Sequence, residues 1–236
     1  MNIPANNVEI DRIYSLLSSQ GIRSVAISSA NSGEGVSSIS LALAHRSLLA
    51  GHSTLLVDLN LYHPSLKCVL NLQEITSESP LLSQPELLSL GSSSIVVTGI
   101  SAPMQREVVV KLRQEGELEQ CIQQWLTSFE RIIIDTSPIN RVNANNIPPE
   151  RVAAACDGCL LVVLAGHTTE SMVVSATDKL INASVQVLGC VFNDRDNPTL
   201  KNELIRETKR LRPRFDKLAN RIENWLRNNR LLSLDV

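Results

Sequence analysis

Apolar and β-branched residues run along this chain in short unbroken blocks, at Ser24 to Ser28, Ser53 to Asp58, Ser94 to Thr98, Arg131 to Asp135, Cys159 to Leu164 and Val185 to Phe192. Blocks of that length without polar alternation are the pattern of strands buried on both faces. Between most of them lie stretches with helical patterning, notably Ser37 to Ala50, Glu117 to Thr127 and Thr169 to Asn182, and residues 1–20 read as a helix at the N-terminus. Strands that alternate with helices predict an α/β fold, a doubly wound and mainly parallel sheet with helices on both faces. Ligands of such sheets sit at the carboxyl ends of the strands. Three polar segments fall there, Asn31 to Val36, Asp58 to Asn60 and Asp135 to Pro138, so the pattern predicts that they meet in one pocket. The stretch from Asn71 to Gly91 has little periodicity and several turn formers, and it reads as a surface excursion rather than a domain boundary.

Composition narrows the class. The 236 residues are 43% hydrophobic and 19% charged, which fits one folded domain and excludes a disordered chain. Aromatics make up 3%, so the core must be built from Leu, Val, Ile and Ala. The longest apolar run, Cys159 to Gly166, is too short to span a bilayer, and MNIPANNVEIDR does not read as a signal peptide, so a cytoplasmic location is expected. Five cysteines without scaffold spacing fit a reducing compartment. Cys156 and Cys159 form a C-x-x-C, but without a second pair or a His cluster they read as a turn entering a buried strand. The net charge of −2 hides an asymmetry: from Thr199 onward ten Lys or Arg stand against five acids. The organisation expected is therefore a single domain over 1–236 that ends in a basic helical tail at 199–236.

The chemistry concentrates at residues 24–38, SVAISSANSGEGVSS, a strand followed by a Ser- and Gly-rich turn and a helix start. The layout is that of G-x-x-x-x-G-K-[ST], in which backbone N–H groups cradle phosphates, the lysine neutralises them and the hydroxyl holds Mg²⁺. Gly33 and Gly35 keep the turn and Ser37 keeps the hydroxyl, but Val36 stands in the place of the lysine. Loss of that lysine removes a charge-assisted contact of roughly 1.5–3 kcal/mol. Two readings of the loop stand side by side. Either the glycines merely make a tight strand-to-helix turn, or the helix start still attracts an anion weakly.

From about Glu9 to Asn193 the sequence resembles the cytoplasmic domain of bacterial tyrosine kinases that regulate capsule and exopolysaccharide export, and more distantly the MinD/ParA ATPases of the P-loop class. SANSGEGVSS is similar to that family's S-x-x-P-G-E-G-K-S, LLVDLNLYHPSL to LLIDADLRRPSL, RIIIDTSPI to VIIDTPP, and ACDGCLLVVLAGHTTE followed by VLGCVFND to ADGVLLVVRAGKTT followed by VLGVVLN. The resemblance implies a P-loop nucleotide-binding fold. It assigns Gly33, Glu34, Gly35, Ser37, Ser38 and Asn193 to a weak or vestigial ATP or ADP site, Asn193 being the strand-end residue that contacts adenine in relatives. It assigns Ser37, Asp58 and Asp135 to Mg²⁺ whenever nucleotide binds, with Asp58 and Asp135 as the vestigial catalytic acids.

The departures fall on the same chemistry. Asn60 replaces the second catalytic acid, and Tyr62 and His63 stand where the family has two arginines. An amide coordinates only through a neutral oxygen, so the losses at residues 36 and 60 together argue against phosphoryl transfer. The family assembles through an E-x-x-R-x-x-R helix, in which Glu9 and Arg12 match and Ser15 does not, and its phosphorylated tail is missing, since Tyr14 and Tyr62 are the only tyrosines. After Pro213, Phe215, Leu218, Ile222, Trp225 and Leu226 fall at helical spacing, for packing on the domain itself, on a partner or on an anionic membrane. The histidines at 45, 52, 63 and 167 lack zinc spacing, and no nucleic-acid partner is expected.

The expectation is a catalytically degenerate relative with a regulatory or scaffolding role in exopolysaccharide or capsule production, requiring no cofactor. Its partner would be a membrane-embedded polysaccharide co-polymerase or another assembly protein, met at the inner membrane without direct membrane contact, and homo-oligomerisation is left open. Two alternatives remain, a weak ATPase or tyrosine kinase with a non-standard site, and a MinD/ParA-like positioning protein that reaches the membrane through its C-terminal helix.

Overall fold

A computed structural model describes residues 3–70, 82, 85–90, 94–141, 143–196, 204, 208, 225 and 226. The chain divides into two compact units, Met1–Asn193 and Asp194–Val236. In the first, eight strands form one sheet: β1 (Ser24–Ser29), β2 (Thr54–Leu59), β3 (Leu66–Leu70), β4 (Glu86–Leu90), β5 (Val97–Ile100), β6 (Arg131–Thr136), β7 (Gly158–Leu164) and β8 (Val187–Asn193). Their order is β3-β4-β5-β2-β6-β1-β7-β8. The six blocks read from the sequence correspond to β1, β2, β5, β6, β7 and β8, which pair in parallel. The pairings β3–β4 and β4–β5 are antiparallel. The surface excursion expected from Asn71 to Gly91 is thus corrected in part: Glu86–Leu90 is a strand that joins the sheet, whereas residues 71–81 lie outside the described residues.

Strand alternation explains how continuous apolar blocks serve two faces. Val25, Ile27, Leu56, Ile133, Leu160 and Val162 enter one core cluster, while their neighbours Ala26, Leu55, Val57, Ile132, Ile134, Leu161 and Val163 enter the clusters opposite. The first face is covered by helix α2 (Val36–Leu49), with α1 (Val8–Ser19) packed outside it through Ile10 and Leu17. Lying between the sheet and α1, α2 buries residues all round, which is why Ile39, Ser40, Leu41, Ala42, Leu43 and Ala44 are buried in succession. The second face carries α3 (Arg106–Leu112), α4 (Glu117–Trp125), α5 (Pro149–Ala154) and α6 (Glu170–Asn182).

After β6 the chain crosses β1 and lays down β7 and β8 on its far side. Such a reversal opens a crevice at the carboxyl ends of the central strands. In the second unit, Leu204, Thr208, Trp225 and Leu226 are helical, and Leu226 is buried while Trp225 is 63% exposed. The remainder of the stripe read from Phe215 to Ile222 lies outside the described residues. No helix among the described residues is long and apolar enough to cross a membrane.

Candidate functional site

The loop between β1 and α2 is shaped by two glycines, Gly33 with φ +83° and Gly35 with φ +100°, a region in which a side chain is strained. Gly35 is also the N-cap of α2, and no side chain caps that helix end. Glu34 folds back beneath the loop. It is 3% exposed, and its carboxylate accepts the N–H groups of Ala30 at 3.1 Å and Asn31 at 3.2 Å and the hydroxyl of Thr168 at 2.7 Å. Burial raises the pKa of Glu34, and these hydrogen bonds hold the rise in check. Thr168 in turn accepts the N–H of Leu164, which ties the end of β7 to the loop. Asn193, the last residue of β8, donates its amide to the carbonyl of Glu34 at 2.8 Å, and a Cβ added at Gly35 would run into that amide.

Val36 opens α2, 6% exposed and packed in the cluster that holds Ile27, Leu56 and Ile133. At the place where the motif demands a cation, the side chain is part of the core. Ser37 follows, its hydroxyl accepting a hydrogen bond from Ser65 at 2.7 Å, and Ser38 is half-buried in the same turn.

Asp58 and Asp135 stand directly opposite each other on the adjacent parallel strands β2 and β6. They share the strand parity of Leu56 and Ile133, so both lie on the face that α2 covers, and both are 0% exposed. Asp58 accepts the N–H groups of Asn60 at 2.9 Å and Leu66 at 3.4 Å, yet burial pushes its pKa to about 6. Neither carboxylate oxygen of Asp135 meets a hydrogen-bond partner. Burial, and next the charge of Asp58, raise the pKa of Asp135 well above the usual range, and the nearby Ser37 and Asn60 side chains only partly oppose this.

Asn60 is 8% exposed, and its side-chain oxygen accepts the N–H of His63, three residues on, at 3.2 Å, a local side-chain-to-backbone bond that closes the loop after β2. The rings of Tyr62 and His63 meet edge to face, 4.7 Å between centroids. The structure brings Gly33, Glu34, Gly35 and Asn193 together around the loop and places Ser37, Asp58 and Asp135 beside it. The sequence reading missed Ser65 and Thr168, which lie in the HPSL and GHTTE segments and hold the groups in place.

Elsewhere, Glu9 and Arg12 pair with each other at 2.7 Å on the exposed side of α1, where Ser15 is also exposed. Tyr14 on the same helix packs its ring against the guanidinium groups of Arg46 at 4.3 Å and Arg131 at 5.1 Å. Burial raises the pKa values of Cys156 and Cys159, the latter to about 12, so neither thiol is reactive near neutral pH. Among the described residues, no group of three or more His, Cys, Asp or Glu side chains could hold a metal ion.

The fold defines the class, a mostly parallel α/β sheet of the P-loop NTPase-like type. Its relatives are bacterial tyrosine kinases. The chain is 28% identical over 188 residues to the tyrosine-protein kinase CpsD of Streptococcus pneumoniae, covering 76% of this chain and 79% of that one. The kinase domain of the Escherichia coli tyrosine kinase ETK superposes with a TM-score of 0.62 at 18% identity, over 81% of this chain and 80% of that one. Cobyrinic acid a,c-diamide synthase of Mycobacterium smegmatis, solved with an ATP analogue and magnesium, matches with a TM-score of 0.52 at 14% identity, over 72% of each chain. No family model matches the chain.

Asp135 offers two buried oxygens that lack partners, with Asp58 and the hydroxyl of Ser37 beside it, a hard oxygen set suited to Mg²⁺. The cradle keeps its glycines, and the space beside Gly33 is open, but nothing at residue 36 supplies positive charge to a phosphate.

Proposed function

We propose that this chain is a catalytically silent relative of the bacterial tyrosine kinases. It acts by contact, as a regulator or scaffold in exopolysaccharide or capsule production, on the cytoplasmic side of a membrane-embedded polysaccharide co-polymerase. One observation carries the loss of catalysis. Val36, at the lysine position, is committed to the hydrophobic core, so the charge that would stabilise a transferring phosphoryl group is not simply shortened but replaced by packing. Asn60 adds to this, because its side-chain oxygen is engaged in the turn to His63 and it carries no charge to hold a metal or orient a nucleophile. Surface contacts then carry the role.

In the same reading Gly33, Glu34, Gly35, Ser37, Ser38 and Asn193 frame a site for ATP or ADP with Mg²⁺ of low affinity. A bound Mg²⁺ would neutralise phosphate charge there. Glu34 and Thr168 fix the loop, and Asn193 closes over it. The test is a titration of the purified chain with ATP and Mg²⁺, followed by heat and by melting temperature, alongside assays of ATP turnover and autophosphorylation. Little or no stabilisation by nucleotide and no phosphoryl transfer are expected. Steady turnover that disappears in Asp58→Ala would overturn the reading and make the protein a weak enzyme with a non-standard site.

A further inference from the structure

We infer that Tyr14 is a phosphorylation site, and that Arg131 and Arg46 receive the phosphate once a separate protein-tyrosine kinase has placed it there. The inference goes beyond the proposed function, since the kinase acts on this chain from outside and nothing in the loop between β1 and α2 takes part.

It starts from a buried charge that lacks a counter-charge. Arg131 opens β6 at 6% exposure; its Nη2 donates to the Ser18 hydroxyl at 3.1 Å, while Nη1 is buried with no acceptor. Among the described residues, no acid forms an ion pair with it. Buried cations are ordinarily paired, so this one is short of an anion. Burial lowers the pKa of Arg131, and negative charge on Tyr14 and then on Glu130 acts in the opposite direction. Tyr14 sits where such a charge helps. Its half-buried ring lies against the guanidinium groups of both Arg46 and Arg131, and its hydroxyl makes no hydrogen bond among the described residues. The chain's other tyrosine, Tyr62, packs edge-on with His63, and among the described residues no guanidinium lies over its ring.

A neutral phenol offers Arg131 a ring face but no charge. Transfer of the γ-phosphoryl group of ATP forms a bond between phosphorus and the Tyr14 oxygen, breaks the bond to the bridging oxygen of the β-phosphate, and releases ADP and the phenolic proton. The product carries close to two negative charges and three acceptor oxygens in place of one hydroxyl. Set beside two arginines, it makes charge-assisted hydrogen bonds, and Nη1 of Arg131 gains the acceptor it lacks. Arg46 is shared with Asp11 at 2.6 Å, but the Asp11 side chain is 53% exposed and carries half the charge of the phosphate. Access for the kinase is a local matter. α1 lies outside α2 and buries only Ile10 and Leu17, so it can open without disturbing the sheet. Once modified, the helix is fastened to the start of β6 and the last turn of α2 by charge rather than by ring packing.

The experiment uses the full chain in two arms. In the first, it is incubated with a purified broad-specificity protein-tyrosine kinase and ATP, and tandem mass spectrometry locates the phosphate. Label on Tyr14, lost in Tyr14→Phe, is expected. In the second, phosphotyrosine is incorporated at residue 14 during translation. That protein should melt at a higher temperature than the unmodified chain, and its phosphate, followed by ³¹P magnetic resonance, should take its second proton about one pH unit lower than free phosphotyrosine does. Arg131→Gln should return the titration towards the free value, and Arg46→Gln serves should the first variant fail to fold. Absence of label at Tyr14, a melting temperature that does not rise, or a titration indifferent to both arginines overturns the inference. So does an equal rise in the melting temperature of the unmodified chain with inorganic phosphate, which would make this a site for a free anion. Label on Tyr14 with no kinase added supports the site and overturns the silent-kinase reading instead.

Discussion

Val36 decides more than a missing charge, because its burial makes the position sensitive in the opposite sense to a surface loop. Val36→Lys places an ammonium where a branched apolar side chain fills the core, and even with its stem reaching back along the loop it should lose about 1–3 kcal/mol in denaturant unfolding. The variant is also expected to show no autophosphorylation of its own, which a phosphotyrosine blot with ATP and Mg²⁺ would check. The acid pair gives a second residue-level prediction. Asp58 has its folded pKa raised from 3.8 to about 6, and Asp135 is raised further in the same direction. A raised carboxyl pKa means that the folded state binds more protons than the unfolded one. Their contribution to stability is therefore fully present below about pH 4 and is lost as the pH climbs through about 6 and beyond. Measured in EDTA, Asp58→Asn and Asp135→Asn should each flatten that decline and leave the protein more stable than wild type at neutral pH. A wild-type profile that rises over the same window would contradict the assignment.

At the scale of elements, the loop, β7 and β8 act as one unit. Thr168 joins β7 to Glu34, and Asn193 joins β8 to the same residue, so the loop conformation is set from three sides. Gly35→Ala both strains a backbone with φ +100° and pushes a methyl into the Asn193 amide. It should lower stability by about 1–3 kcal/mol in a chemical melt, and the smaller Asn193→Gly should recover part of that loss when combined with it. The same elements show what a sequence can and cannot tell. β1, β2, β6 and β7 were legible because burial on both faces leaves an unbroken apolar block, and β8, a partly exposed edge strand, because VLGCVF is largely apolar all the same. β3 and β4 were not, because LKCVL and ELLSL are short, lie at or beside the sheet edge and carry no such block. α3 and α5, at seven and six residues, are too short to show a helical period. Within the site, the glycines, Ser37 and the acids were legible from motif order. The direction of the Val36 side chain was not, since it depends on how α2 sits on the sheet, and Ser65 and Thr168 speak only through partners distant in sequence.

At the scale of the molecule, the whole sheet and all three core clusters belong to Met1–Asn193. A chain ended after Asn193 should keep a cooperative thermal transition by circular dichroism, and a broad, non-cooperative melt would show that the second unit is needed for folding. On α1, the Glu9 carboxylate is engaged by Arg12 of the same helix, both of them exposed. Glu9→Ala should change stability by no more than about 0.5 kcal/mol, and light scattering should show its oligomeric state unchanged. A shift in mass would restore the helix as an assembly element.

The position of Val36 in the core also sets what a single substitution can do. A lysine added at an exposed residue is decided by its charge alone, but here any new side chain must first fit among neighbours on α2 and the sheet. Packing therefore judges a change at this position before phosphate chemistry does, and placing a cation in the loop calls for coordinated changes in the residues around it.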